Sequence, residues 1–234
     1  VPHYITSNPW IADAYAQVVL GWLRDHAAAG AIDPGEPVHV IELGCGLGRF
    51  GYLFLNRLLE LLRRSSLAHV AVRYVLTDFT ETNLDALRLN PSLQPLVAAG
   101  VLDFARYDAG SDFAIALSHS GEVLAPGGPA NPVAVIANYV FDALPQDCFF
   151  FKEDGELELG LVGLVSPQPE PIRDDPELLD RLEIHWSRRP VEEAPYGEPG
   201  LDRLLAFYRE RLSDTVPLLL AGALRCLGNL IRLA

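Results

Sequence analysis

Glu42 is the acid near the end of a short β-branched run, Val38 to Leu43, that leads directly into Gly44-Cys45-Gly46-Leu47-Gly48. Glycines at this spacing let a backbone turn sharply and approach a ligand that a Cβ would exclude. The free N–H groups opening the next helix favour a negative ligand group. Strand, glycine loop and helix in that order form a nucleotide-binding arrangement. Two more acids stand at equivalent places. Asp78 follows the apolar run Ala71 to Thr77, with Phe79 beside it, and Asp108 follows Val101 to Tyr107. Asn138 ends a fourth such run, with Tyr139 next to it and Asp142 four residues on. The Asn138 side-chain carbonyl can accept an N–H or O–H, and Asp142 can hold an amine or act as a base.

The ligand can be narrowed. Gly46-x-Gly48-x-x-Gly51 also satisfies the dinucleotide pattern, which wants its ribose acid about 20 residues beyond the glycines. Asp78 lies 27 residues past Gly51. Glu42 would crowd a pyrophosphate, and it suits a ligand with a positive amino group and no phosphate. Other chemistries lack their residues. The six histidines show no paired spacing, so no metal site is expected. There is no Gly-x-Ser-x-Gly elbow for a hydrolase. No Lys follows the glycine loop, which removes the nucleoside-triphosphate loop. Cys45 reads as a small residue the loop tolerates, not as a nucleophile.

The elements that must hold these residues alternate. Asn8 caps a first helix with Pro9 in its first turn, and Trp10, Ile11, Ala14, Tyr15, Val18, Val19, Trp22 and Leu23 recur at helical spacing. A helix from Phe50 ends at Arg63-Arg64, Thr80 caps another through Leu89, and a short helix ends at Gly100. The fourth strand is Val133 to Asn138. Strand and helix alternate four times, which predicts an α/β fold: a Rossmann-like, doubly wound parallel sheet with helices on both faces. Beyond it, Phe149–Lys152 and Leu157–Val165 flank Asp154-Gly155 and predict an added β-hairpin. Residues 174 to 200 show no clear period. Leu201 to Leu212 and Val216 to Leu233 read as C-terminal helices, the second apolar on most sides.

Val40-Ile-Glu-Leu-Gly-Cys-Gly-Leu-Gly48 resembles the first motif of class I S-adenosylmethionine-dependent methyltransferases. The resemblance spans residues 38 to 108 and implies S-adenosylmethionine as cofactor, held at Glu42, Gly44, Gly46 and Gly48. It implies that Asp78 binds the ribose hydroxyls, that Asp108 reads the adenine amino group and that Phe79 lies on the adenine. It also implies one domain over 1–234: a helical lid at 1–37 carrying Tyr4 and Asn8, a cofactor-binding core at 38–147, and a hairpin, acidic loop and helices at 148–234. A second stretch, Ala137-Asn-Tyr-Val-Phe-Asp-Ala-Leu-Pro145, is similar to the MidA-like branch, whose members include methyltransferases linked to mitochondrial complex I assembly. That branch has Glu where Tyr139 stands, and Glu is the natural partner of a guanidinium. The acceptor, a protein side chain or a small molecule, is therefore open. The function so implied is methyl transfer, with Asn138, Tyr139 and Asp142 on the acceptor side. The alternatives are a non-catalytic assembly module that keeps the fold and an NAD(P)-dependent oxidoreductase.

Composition bounds the rest. Eighteen basic and 31 acidic residues leave a net charge of −13 over 234 residues, which disfavours a nucleic-acid partner. Seventeen of the 18 cations are Arg, with Lys152 alone, so no polybasic membrane patch exists. No apolar run reaches membrane-spanning length. Three cysteines point to a reducing compartment and a cytoplasmic protein. A class I sheet has seven strands, and the chain, which has no Met, is expected to lack its last ones. The apolar helix Val216 to Leu233 and the sheet edge left open would then promote self-association.

Overall fold

A computed structural model describes residues 5–169, 174–191 and 193–233. Tyr4 lies outside them. The chain divides into two compact units, one running to Leu144 and resuming at Gly222, the other spanning Pro145–Ala221.

The first unit holds helices α1 (Pro9–Ala28), α2 (Arg49–Arg63), α3 (Glu81–Arg88) and α4 (Gln94–Ala98). Its strands are β1 (Val38–Glu42), β2 (Val72–Asp78), β3 (Leu102–Arg106), a short antiparallel pair β4 (Ile115–Ala116) and β5 (Val123–Leu124), and β6 (Ala134–Ile136). The β4–β5 pair has no counterpart in the sequence reading. β3, β2, β1 and β6 lie side by side and parallel, in that order. The fold is thus the expected Rossmann-like α/β sheet. Chain progression reverses between β1 and β6, and ligand crevices of open α/β sheets form at such a reversal, beyond the strand C-termini.

Side-chain alternation builds the two faces. Val38, Val40, Tyr74 and Phe104 point to one side, where they pack with Leu20 and Leu23 of α1 and Phe54 and Leu58 of α2. Ile41, Val75 and Ala105 point to the other, against Ile115, Leu124, Cys226 and Leu233. In α1 the Asn8 carboxamide accepts from Ile11 N at 3.0 Å, as a cap should. The buried stripe is Ala12, Ala16, Val19, Leu20 and Leu23, whereas Trp10 and Val18 face solvent. Tertiary contact favours the small alanines against α2 over the larger residues.

The second unit contains α5 (Leu178–Arg181), α6 (Pro199–Arg209) and four antiparallel strands: β7 (Asp147–Phe151), β8 (Leu157–Val165), β9 (Glu183–Pro190) and β10 (Leu218–Leu219). Their order is β10-β7-β8-β9. The β7–β8 hairpin turns where expected, with Gly155 at φ 82° and Lys152 N donating to Glu156 O. Phe149, Phe151, Leu157, Leu205 and Leu219 form its core. Two expectations are corrected. Residues 183–190, read as aperiodic, pair with β8 along their whole length. Residues 216–220, read as helix, include β10, which pairs with β7, and the last helix α7 begins at Ala221 and ends at Leu233. Cys226, Leu230 and Leu233 of α7 pack on the parallel sheet, while Leu227 and Ile231 stay exposed. No helix among the described residues is long and apolar enough to cross a membrane.

Candidate functional site

Two cavities open in the first unit, at the reversal between β1 and β6. One, about 360 Å³, is lined by Glu42, Gly44, Gly46, Arg49, Asn138, Tyr139 and Asp142, among others. The second, about 330 Å³, is lined by Gly44, Phe79, Tyr107, Asp108, Asn138 and Tyr139 with apolar neighbours. Gly44, Asn138 and Tyr139 border both. Residues separated by almost a hundred positions meet because β1 and β6 are neighbours in the sheet.

Glu42 is only 5% exposed. Its Oε2 accepts from the Tyr74 hydroxyl at 2.8 Å, and no cation lies within ion-pair distance of it among the described residues. Burial pushes its carboxyl up to about 8, against which the Tyr74 bond acts. The carboxyl is therefore mostly protonated at neutral pH. The same burial raises the Cys45 thiol above its usual range, and the Glu42 and Asp78 charges add to the effect. Cys45 is no activated nucleophile.

The glycine loop has left-handed backbone at Gly44, Gly46 and Gly48. Gly48 is the N-cap of α2, and a Cβ there would come within 2.8 Å of Leu87 Cδ2. At Gly46 a Cβ would meet nothing within 4 Å, so the loop backbone lies open to the cavity there. Gly51 serves packing: a Cβ would approach Leu76 Cδ2 to 2.6 Å and Glu42 Oε2 to 2.7 Å. Gly51 thus lets α2 sit directly over Glu42.

Asp78 and Gly48 line neither cavity. Asp78 Oδ1 accepts from Thr80 N at 2.9 Å and from the Thr80 hydroxyl at 2.8 Å, and its Oδ2 accepts from Asn83 Nδ2 at 2.7 Å. Thr80 occupies the N-cap of α3, as expected, but spends its hydroxyl on Asp78 and not on the helix. Asn83 Nδ2 also donates to Gly46 O at 2.7 Å, so one amide clips the glycine loop to the end of β2. Asp108 Oδ1 accepts from Gly110 N at 2.9 Å and shapes its own turn while bordering the second cavity. Phe79, 70% exposed, lies on that cavity's wall and not in the core.

Asn138, which borders both cavities, accepts at its Oδ1 from the Tyr15 hydroxyl at 2.7 Å. Tyr15 in turn packs edge-on against Phe50, ring centroids 5.4 Å apart. Tyr139 has φ 54°, a left-handed conformation that costs a non-glycine residue about 1–3 kcal/mol. Asp142 is exposed and lines the first cavity. Among the described residues no cluster of three His, Cys, Asp or Glu side chains is arranged to hold a metal.

Four contributors were missed in the sequence reading. Arg49 carried a signal in its place at the first turn of α2. Asn83 and Tyr74 carried none, because Gly46 and Glu42, which they meet, are more than 30 residues away. Tyr15 read only as a helix-face apolar residue.

No protein-family model matches the chain, and no curated protein matches it. Two solved structures from Burkholderia thailandensis resemble it. One is an uncharacterized superfamily protein, 15% identical, at TM-score 0.49 over 95% of this chain and 46% of its own. The other is a member and candidate methyl transferase of the same superfamily, bound to S-adenosyl-homocysteine, 17% identical, at TM-score 0.45 over 85% of this chain and 38% of its own. The chain spans less than half the length of either protein.

Proposed function

We propose that the first unit binds S-adenosylmethionine and serves methyl transfer. The observation that carries this reading is Glu42: a buried carboxyl on the wall of a cavity, at the strand reversal, with a hydroxyl but, among the described residues, no cation against it. A ligand ammonium would displace the Glu42 proton and pair with the carboxylate so formed. The residues present fit such a ligand. Gly46 leaves its backbone open beside Glu42. Arg49 and the N-terminus of α2 suit an amino-acid carboxylate. The adjoining cavity, with Phe79 and Asp108, suits an adenine ring and its amino group. The Asp78 carboxylate accepts three bonds within the protein and retains acceptor capacity for ribose hydroxyls. A buried acid under the glycine loop speaks against a pyrophosphate, and so against NAD.

The bound cofactor would supply an activated methyl group on a sulfonium. The chain's own part is then orientation, exclusion of water and acceptance of a proton. Asn138, held by Tyr15, and Tyr139, held in a strained backbone, border both cavities and orient an acceptor. Asp142, on the first cavity, takes the acceptor's proton. The match from Asn138 to Pro145 supports a divergent MidA-like relative, and Tyr139 in the Glu position leaves the acceptor a protein side chain or a small molecule.

Calorimetric titration of the whole chain with S-adenosylmethionine, S-adenosylhomocysteine and NAD tests the proposal. The first two should bind, and NAD should not. Binding of NAD alone would overturn it.

A further inference from the structure

Among the described residues, the sheet of the second unit ends in an open edge. β9 is exposed at all eight of its residues, and among the described residues no strand pairs with its outer side. Its register with β8 is unbroken from Glu158↔Pro190 to Val165↔Glu183. Next in that register, Val191 N donates to Leu157 O at 3.0 Å. Antiparallel alternation then turns the backbone groups of Glu183, His185, Ser187 and Arg189 toward β8, and those of Ile184, Trp186 and Arg188 outward. Pro190, which has no N–H to offer, falls in the outward set, where a proline costs the ladder nothing.

We propose that this edge pairs, antiparallel, with β9 of a second copy of the chain, about a two-fold axis at Trp186. Outward residues must then face outward residues. With Trp186 opposite Trp186 of the second copy, Ile184 faces Arg188, and each such pair exchanges two backbone hydrogen bonds. The register is self-complementary in charge. Glu183 comes opposite Arg189 of the second copy, and Arg189 opposite its Glu183. Both pairs fall at the non-hydrogen-bonded positions, where side chains approach closest. A slip of two residues sets Glu183 opposite Ser187, or Arg189 opposite His185, and loses both pairs.

The side chains favour the same arrangement. Val162 pairs with Trp186 and Leu164 with Ile184, so the four lie on one face of the β8–β9 ribbon, and all four are exposed. Pairing at Trp186 would extend the Val162–Trp186 row into its own copy across the axis. A long unprotected edge with an apolar face is a surface that soluble proteins normally cover or blunt. Here the strand's own sequence matches itself. The pairing is independent of the cofactor reading.

Sedimentation of the full chain over roughly 1–100 µM tests it. A reversible monomer–dimer equilibrium is expected. Glu183→Arg or Arg189→Glu alone sets like charges opposite each other twice and should weaken the dimer about tenfold. The double variant restores opposite charges in reversed order and should regain the dimer. Trp186→Pro removes an outward N–H without touching the bonds to β8, so it should leave a monomer with a near-normal melting temperature. A wild-type monomer throughout the range would overturn the proposal. So would a dimer indifferent to the single reversals, or one that the double variant does not recover.

Discussion

Tyr15 Oη donates to Asn138 Oδ1 at 2.7 Å, joining helix α1 to the end of β6 across 123 residues of sequence. Tyr15→Phe should therefore cost about 1 kcal/mol of stability, the typical net worth of one such bond. Asn138→Ala should cost a similar amount, and the double variant little more than either. Urea unfolding of the four proteins closes the cycle. Full additivity would mean the bond contributes nothing.

Glu42 should make stability fall as pH rises. Its carboxyl titrates at about 8 in the folded chain against 4.5 for an ordinary glutamate. The raised value means that its contribution is complete below pH 4.5 and is lost as pH climbs through the window to 8. Within that window the loss approaches about 1.4 kcal/mol per pH unit. Glu42→Gln removes this dependence. Unfolding midpoints at pH 5, 6, 7 and 8 should show the wild type losing ground steadily to the variant.

The same group should tie ligand binding to pH. Below pH 8 a ligand ammonium must displace the Glu42 proton before it gains a charged partner. Affinity for S-adenosylhomocysteine should rise from pH 6 to pH 8, by at most about tenfold per unit. One proton should leave per ligand bound, seen as a dependence of the binding heat on the buffer. In Glu42→Gln both effects should disappear.

Asn83 holds Gly46 O and Asp78 Oδ2 with one amide nitrogen. Asn83→Ala should cost roughly 1 kcal/mol of stability and a larger factor, about tenfold, in S-adenosylhomocysteine affinity, because it frees the loop and the acid together. Asn83→Asp should do worse, since it sets a second carboxylate against Asp78. Calorimetry alongside thermal melting separates the two losses.

The features legible in the sequence rest on local chemistry. Asn8 caps α1 because its carboxamide reaches an amide three residues away. The β7–β8 hairpin turns at Asp154-Gly155 because Gly155 can take φ 82°. Val38 to Arg63 forms strand, loop and helix because apolar run, glycines and amphipathic period follow one another in the chain. Tertiary structure decided what depends on distant partners. β9 and β10 have no pattern of their own and become strands only through β8 and β7. Trp10 and Val18 fit the helical period of α1, but contact with α2 selects Ala12 and Ala16 instead. Asp78 stands at the end of its strand as the sequence implied, yet only the fold brings Gly46 O to the same Asn83 amide that holds it. The charge of Glu42 is likewise beyond any local reading. A carboxylate's proton affinity depends on the water removed from around it, and only the packing of α2 and β2 over β1 removes that water.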